Sequence, residues 1–257
     1  MKRLAIFLLL LVGMPSAASA HPSSGCPEFF VAGQAPDVTD HRLAIQTDEL
    51  CFSRFAVLHS GVTRTPLWSA TRLTAAEVRA AARTERNDDF HAESRLSRER
   101  RAELRDYKYS GYDRGHLTEN SAIADQDDEE QAFSLANIVP QNRNSNRGLW
   151  ERIERAVRSL AARDGELFVV TGPIFGPNPA KVGGRVSVPT WLWKAAYSPS
   201  GQWAAAYVAP NAAGKAWRAV SIVELERMIG IDVFPGLPMA VRAAGGVLPE
   251  PEGRRRR

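Results

Sequence analysis

Residues 111–120 read GYDRGHLTEN, and the fold turns on whether this run is extended. If it is, period-two alternation sends Arg114 and His116 to one face of a strand and Asp113 and Gly115 to the other. A guanidinium beside an imidazole suits an anion, because the first holds oxyanions and the second takes a proton from water near neutral pH. Gly115 between them leaves room for a bound molecule or for a tightly packed backbone. Alone, the motif is short, and a single histidine is more often structural than chemical.

The next informative stretch downstream, NIVPQNRNSNRGLWERIE at 137–154, adds to the motif. From Asn146 onward, NRGLWERIERAVRSLAAR has Leu149, Ile153, Val157 and Leu160 on one stripe, the pattern of an amphipathic helix. Asn146, Trp150 and Glu154 follow at successive i+4 spacings, so one helix face offers an amide, an indole and a carboxylate. Trp150 is expected in the core, and Asn142 and Asn144 as turn and cap residues. Before them, QDDEEQAFSLANIVPQ reads as helix until Pro140 approaches.

On the upstream side, CFSRFAVLHS and TPLWSATRL, separated by GVTR, read as a strand pair. LTAAEVRAAAR then carries Thr74 and Glu77 in capping-box spacing ahead of an alanine-rich helix. Residues 85–106 are dense in charge and read as irregular. Towards the C-terminus, ELFVVTGPIF, VSVPTWLWKAAYS and QWAAAYVAPN are apolar, β-branched and aromatic runs with Gly/Pro boundaries, expected in one sheet. SIVELERMIG follows as a helix with Ser221 as N-cap and Gly230 as stop. Strands and helices mix without βαβ regularity, so the expected class is α+β, with a largely antiparallel central sheet flanked by helices.

The two ends set the chain's surroundings. Lys2 and Arg3, an apolar run from Leu4 to Val12 and the close Ala18-Ser19-Ala20 make residues 1–20 a cleavable signal peptide, implying export to a periplasm or the medium. The run is too short to span a bilayer, so no membrane attachment is expected after cleavage. Residues 21–50 read as an N-terminal arm, 51–245 as the domain, and 246–257 as a disordered basic tail. The two cysteines, Cys26 and Cys51, travel to a compartment where a disulfide between them can persist.

The pI of about 9.3 overstates the charge of the folded body. Six of the 33 basic residues are Lys2, Arg3 and Arg254 to Arg257, which leaves 27 against 29 acidic. Any surface for a polyanion must therefore be a local cluster. His21, His41, His59 and His91 lack metal-binding spacing, and no G-x-S-x-G nucleophile elbow is present.

DRGH, then NIVPQ, then N-x-G-x-W-x-x-I-E resembles, in order and spacing, the DNA/RNA non-specific endonuclease family of ββα-metal nucleases. The likeness continues through VVTGPIF, VPTWLWK, YVAPN and SIVELERMIGIDVFPGLP, covering roughly residues 50 to 240. It implies a ββα-metal active-site motif and an endonuclease hydrolysing DNA and RNA, with His116 as the general base and Asn146 as the one protein ligand of Mg²⁺, for which Mn²⁺ substitutes. Such a site suits Mg²⁺, which keeps most of its water. The resemblance also makes Glu154 a hydrogen-bond partner of metal-bound water, Arg114 a phosphate contact and Asn137 an organiser of the nearby loop. Arg86, with Arg83 as its rival, matches a second family arginine. Many relatives read DRGH-x-A-P, so Glu119 stands where they have proline; it either disfavours phosphate or touches the metal's water shell. Asp113 and His116 as joint metal ligands form a rival arrangement, and a non-catalytic exported nucleic-acid-binding protein is the rival function. DNA and RNA are the expected partners, with a homodimer as the alternative to a monomer.

Overall fold

The computed structural model describes residues 25–81, 89–123, 125–246 and 248–252. The expected signal peptide, Arg83, Arg86 and the last five residues lie outside this set. Seven strands form one antiparallel sheet in the order Arg218–Val220, Trp203–Pro210, Trp191–Ser198, Glu166–Ile174, Thr65–Thr74, Ala56–Ser60 and Thr47–Cys51. The class is α+β.

Both faces of this sheet are covered, which explains why its central strands read as continuous apolar runs. Trp193, Ala195 and Tyr197 alternate with Leu192 and Ala196, and the two sets enter different cores. The first set packs with Ile222, Leu225 and Ile229 of the helix Ile222–Ile229. The second packs with Ile153, Val157 and Leu160 of the helix Glu151–Asp164. Lys194, between Leu192 and Ala196, is therefore carried onto the face beneath the longer helix.

Local chemistry sets several boundaries. Thr74 and Glu77 close a reciprocal cap on the helix Ala75–Ala81. The Glu77 N–H donates to Thr74 Oγ1 at 3.2 Å, and the Thr74 N–H donates to Glu77 Oε2 at 2.9 Å. Ser221 Oγ accepts from the Glu224 N–H at 3.1 Å, and Gly230 ends that helix in the left-handed region at φ 66°. A glycine is the residue such a stop favours.

Three expectations change. The helix from Gln126 stops at Ala132; Leu135–Asn137 makes one tight turn, and Ile138–Asn142 is a strand. β-branched Ile138 and Val139 pair with His116 and Gly115, and the two-stranded ribbon tolerates Pro140 as a larger sheet's interior would not. At the N-terminus, the stretch read as an arm is built into the fold. Phe29, Phe30 and Val31 are buried, Asp37–Val38 pairs with Ile231–Asp232, and Thr47–Cys51 is the sheet's edge strand. At the other end, Leu248 is buried and the Pro249 carbonyl accepts from the Tyr207 hydroxyl at 2.7 Å, so order continues past residue 246.

Cys26 and Cys51 form a disulfide, Cα–Cα 5.9 Å, that ties the N-terminal segment to the edge strand. Closing a loop with a sequence separation of 25 is worth about 3 kcal/mol through the unfolded state. Replacing both cysteines by serine is expected to lower unfolding free energy by about that amount in a urea titration.

Candidate active site

The run Tyr112–His116 is a strand, paired antiparallel with Ile138–Asn142 so that Arg114 faces Pro140 and His116 faces Ile138. After this ribbon the chain turns at Asn142, whose Oδ1 accepts from the N–H groups of Asn144 (3.0 Å) and Ser145 (3.2 Å). It then enters Ser145–Trp150, a wide π-helical turn that runs into the α-helix Glu151–Asp164. π-turns inside helices recur at functional sites. Here the turn carries Asn146.

Arg114 and His116 share a face, as alternation requires. The Arg114 guanidinium sits 4.1 Å above the Phe90 ring, and the His116 ring lies 5.4 Å from Phe90 and edge-on to Phe133 at 5.0 Å. Phe90 and Phe133 are themselves perpendicular at 4.9 Å, so the imidazole is held by two rings that fix each other. Asn137 is fully buried one strand away. Its Oδ1 accepts from the Thr118 N–H at 3.0 Å, and its Nδ2 donates to the Thr118 carbonyl at 2.8 Å, clamping the backbone two residues after His116.

Asn146 meets the strand from the other face. Its Nδ2 donates to Asp113 Oδ2 at 3.2 Å. Only the amide nitrogen can donate to a carboxylate, so this contact sets the flip and leaves Oδ1, the atom able to ligate a hard cation, on the far side of the amide. Asp113 also accepts from Arg147 Nε at 2.7 Å and Arg143 Nε at 3.4 Å. Burial pushes the Asp113 carboxyl up, but hydrogen bonds from Arg147 and Asn146 and the Arg147 charge outweigh it and hold the group below the usual range. A carboxylate already committed to two guanidiniums and an amide is a poor joint metal ligand with His116, whose side chain points the other way.

Glu154, half-buried on the long helix, acts electrostatically on Lys194. Lys194 is 2% exposed; its Nζ donates to the Leu117 carbonyl at 3.1 Å and to Thr171 Oγ1 at 2.8 Å, and lies 5.6 Å from the Trp150 ring. Burial lowers its pKa to about 8 against the opposing pull of Glu154, and Arg158 lowers it further. Sequence reasoning passed over this lysine, yet a lone charge inside WLWKAAYS was the available signal. The hold of Asp113 on Asn146 and the part played by Asn211 were also missed. Asn211 Nδ2 ties the carbonyls of Pro140 (3.0 Å) and Pro189 (2.9 Å) together, which secures the ribbon to the sheet's end.

Glu119 is buried and engaged by Arg158, and Ser121 Oγ donates to its Oε2 at 2.8 Å. It braces the long helix against the loop after His116, which neither expected role included. Gly115 also has a definite reason. A Cβ there would lie 2.0 Å from Gln141 Oε1 and 2.6 Å from Gln141 Cβ, so the room beside it is filled by protein. Gly115→Ala is expected to cost about 1–3 kcal/mol by overpacking, read from thermal or urea denaturation. An unchanged melting temperature would show that the strand bearing Gln141 can shift to admit the methyl group.

The Asn146 amide oxygen suits a water-rich divalent cation, which needs few protein ligands and keeps most of its water. Among the described residues the only trio of His, Cys, Asp or Glu ligand atoms within 4.8 Å of one another is Cys26, Glu49 and Cys51, and both sulfurs are committed to the disulfide.

The resemblance to known proteins covers these same elements. The family model described as DNA/RNA non-specific endonuclease matches residues 36–240, which hold the ribbon, the long helix and the whole sheet. The mitochondrial nuclease EXOG of Danio rerio is 33% identical over 199 residues, 68% of this chain and 57% of its own. The nuclease of Serratia marcescens is 32% identical over 154 residues, 54% of this chain and 58% of its own, so the chain spans under two thirds of both relatives. Nuclease C1 of Cunninghamella echinulata var. echinulata is 28% identical over 207 residues, with 72% and 82% covered. A chain in the crystal structure of the EndoG/EndoGI complex has the same fold, with a TM-score of 0.66 at 24% identity over 75% of this chain and 88% of that one. The chain belongs to the DNA/RNA non-specific endonuclease family.

Proposed function

We propose that the protein is an exported, Mg²⁺-dependent endonuclease that hydrolyses phosphodiester bonds in DNA and RNA. The observation that carries this reading is the ribbon itself: Arg114 and His116 project from one face of Tyr112–His116, while Asn146 is fixed to Asp113 on the other. The ribbon has two strands, so among the described residues the outer edge of Tyr112–His116 bears no strand. In this reading a phosphate lies along that edge, met by Arg114 and His116 from one face and by Asn146 from the other.

Arg114 holds a phosphate oxygen, its guanidinium oriented by the Phe90 ring. The His116 imidazole, in its neutral form, takes the proton of the attacking water. Asn146 Oδ1 is the protein ligand for the cation, and Glu154 orients its water shell. When bound, Mg²⁺ supplies charge stabilisation at the phosphoryl oxygens and the leaving oxygen. These groups address the backbone and not base edges, which supports little sequence preference. Mn²⁺ fits the same donors. Export rests on the apolar leader at residues 1–20, and the Cys26–Cys51 disulfide suits an oxidising compartment.

The test is purified protein lacking residues 1–20, incubated with plasmid DNA or RNA in Mg²⁺ or in EDTA. Cleavage of both polymers in Mg²⁺ and none in EDTA is expected. Binding that persists in EDTA with no cleavage in Mg²⁺ would replace the enzyme with a binding module.

A further inference from the structure

Four residues upstream of Asp113 the backbone does something costly. Tyr109 is 94% exposed and sits at φ 59°. That is a left-handed conformation, which bulky residues adopt at an energetic cost. Its neighbours make the turn a firm support. Tyr107 is buried, the helix Leu104–Tyr107 begins in a Glu103/Asp106 capping box, and the Ser110 and Tyr112 N–H groups donate to Tyr107 O (3.2 Å) and Ser110 Oγ (3.2 Å). The aromatic ring is thus displayed on a fixed turn and not folded away.

This end of the ribbon carries basic side chains. Lys108 Nζ lies 5.2 Å from the Tyr109 ring. The register pairs Tyr112 with Asn142, so the 108–111 turn and Arg143 leave the ribbon at the same end. Arg147 stands beside them through Asp113; the Arg143 and Arg147 side chains are 63% and 66% exposed. This local cluster is the kind of surface a near-neutral body needs to meet a polyanion. It is continuous, through Asp113, with Asn146.

We propose that Tyr109 is a stacking platform for an unpaired base of the substrate strand, with Lys108, Arg143 and Arg147 holding the adjacent phosphates. This rests on the nuclease reading above and adds a preference for single-stranded or unstacked nucleotides. An exposed aromatic face gains from a base whose own face is open, and bases inside a duplex are already stacked. From Tyr112 to His116 the strand advances about 13 Å, at roughly 3.3 Å per residue, so the platform lies a few nucleotides from the base that activates water.

The experiment uses the protein without its leader and a short single-stranded DNA in EDTA, with affinity read by fluorescence anisotropy over a range of salt. Tyr109→Ala is expected to weaken single-strand binding about tenfold with an unchanged slope of log K against log salt, and to leave duplex binding within about twofold. Tyr109→Phe should bind as wild type. Arg147→Ala should reduce the salt slope by about one phosphate contact. Tyr109→Gly, which relieves the strained turn, should raise the melting temperature while binding as poorly as Tyr109→Ala, separating recognition from folding. Equal single-strand affinity for Tyr109→Ala and wild type, or an equal loss on duplex, overturns the platform. If wild type cleaves in Mg²⁺ while Tyr109→Ala binds unchanged, only this proposal fails. A wild-type protein that neither binds nor cleaves removes both.

Discussion

His116→Ala is expected to lower kcat on both DNA and RNA by about 10³-fold, with KM within a few fold of wild type and little change in melting temperature. The size follows from the role. A positioned general base contributes about 10²–10⁴ in rate. His116 is placed for that task between the Phe90 and Phe133 rings. Losing the imidazole sacrifices its contacts with the Phe90 and Phe133 rings, each worth about 0.5–1.5 kcal/mol. That is too little to unfold a domain with two large cores. Binding is spared because Arg114 and the outer arginines hold the phosphate chain. A matched Arg114→Ala should show the other signature, a rise in KM that exceeds its loss in kcat. Cleavage by His116→Ala at the wild-type rate would remove the base assignment while leaving the family intact.

What the sequence discloses follows from how local each feature is. Caps at Thr74 and Ser221 and the Leu149, Ile153, Val157 and Leu160 stripe depend on neighbours within a turn or two, and they appear in the structure where pattern puts them. Alternation along Tyr112–His116 also separates Asp113 from His116 correctly. Alternation cannot say what waits on each face. That Asp113 meets Asn146 depends on where the long helix crosses the ribbon, and the π-turn at Ser145–Trp150 breaks the i+4 ruler on which the helix face was drawn. The strand at Ile138–Asn142 was hidden for a similar reason. Its helix-like prelude ends early, and only pairing with the residues around His116 makes Pro140 tolerable. Lys194 sits in a strand whose apolar rhythm reflects two buried faces; its partners, Leu117 and Thr171, are 77 and 23 residues away. The buried N-terminal aromatics belong to the same class of long-range fact.

Separating Asn146 from Asp113 gives the other large effect. Asn146→Ala is expected to raise the Mg²⁺ concentration for half-maximal cleavage by about 100-fold, with a parallel loss of Mg²⁺ binding by titration calorimetry, because the only proposed protein ligand is gone. Asp113→Asn should raise it about tenfold, within the roughly 10–100-fold cost of removing a group that orients a ligand. Asn at 113 keeps the shape and still accepts from the Asn146 amide, but loses the charge that draws in Arg147 and Arg143. The double variant discriminates between the arrangements. If Asp113 acts through Asn146, adding Asp113→Asn to Asn146→Ala costs little more, since the group being oriented is already missing. If Asp113 and His116 were instead the metal ligands, Asp113→Asn alone would abolish Mg²⁺ binding and Asn146→Ala would spare it. The committed state of Asp113, hydrogen-bonded to two guanidiniums and an amide and held below the usual carboxylate range, favours the first outcome.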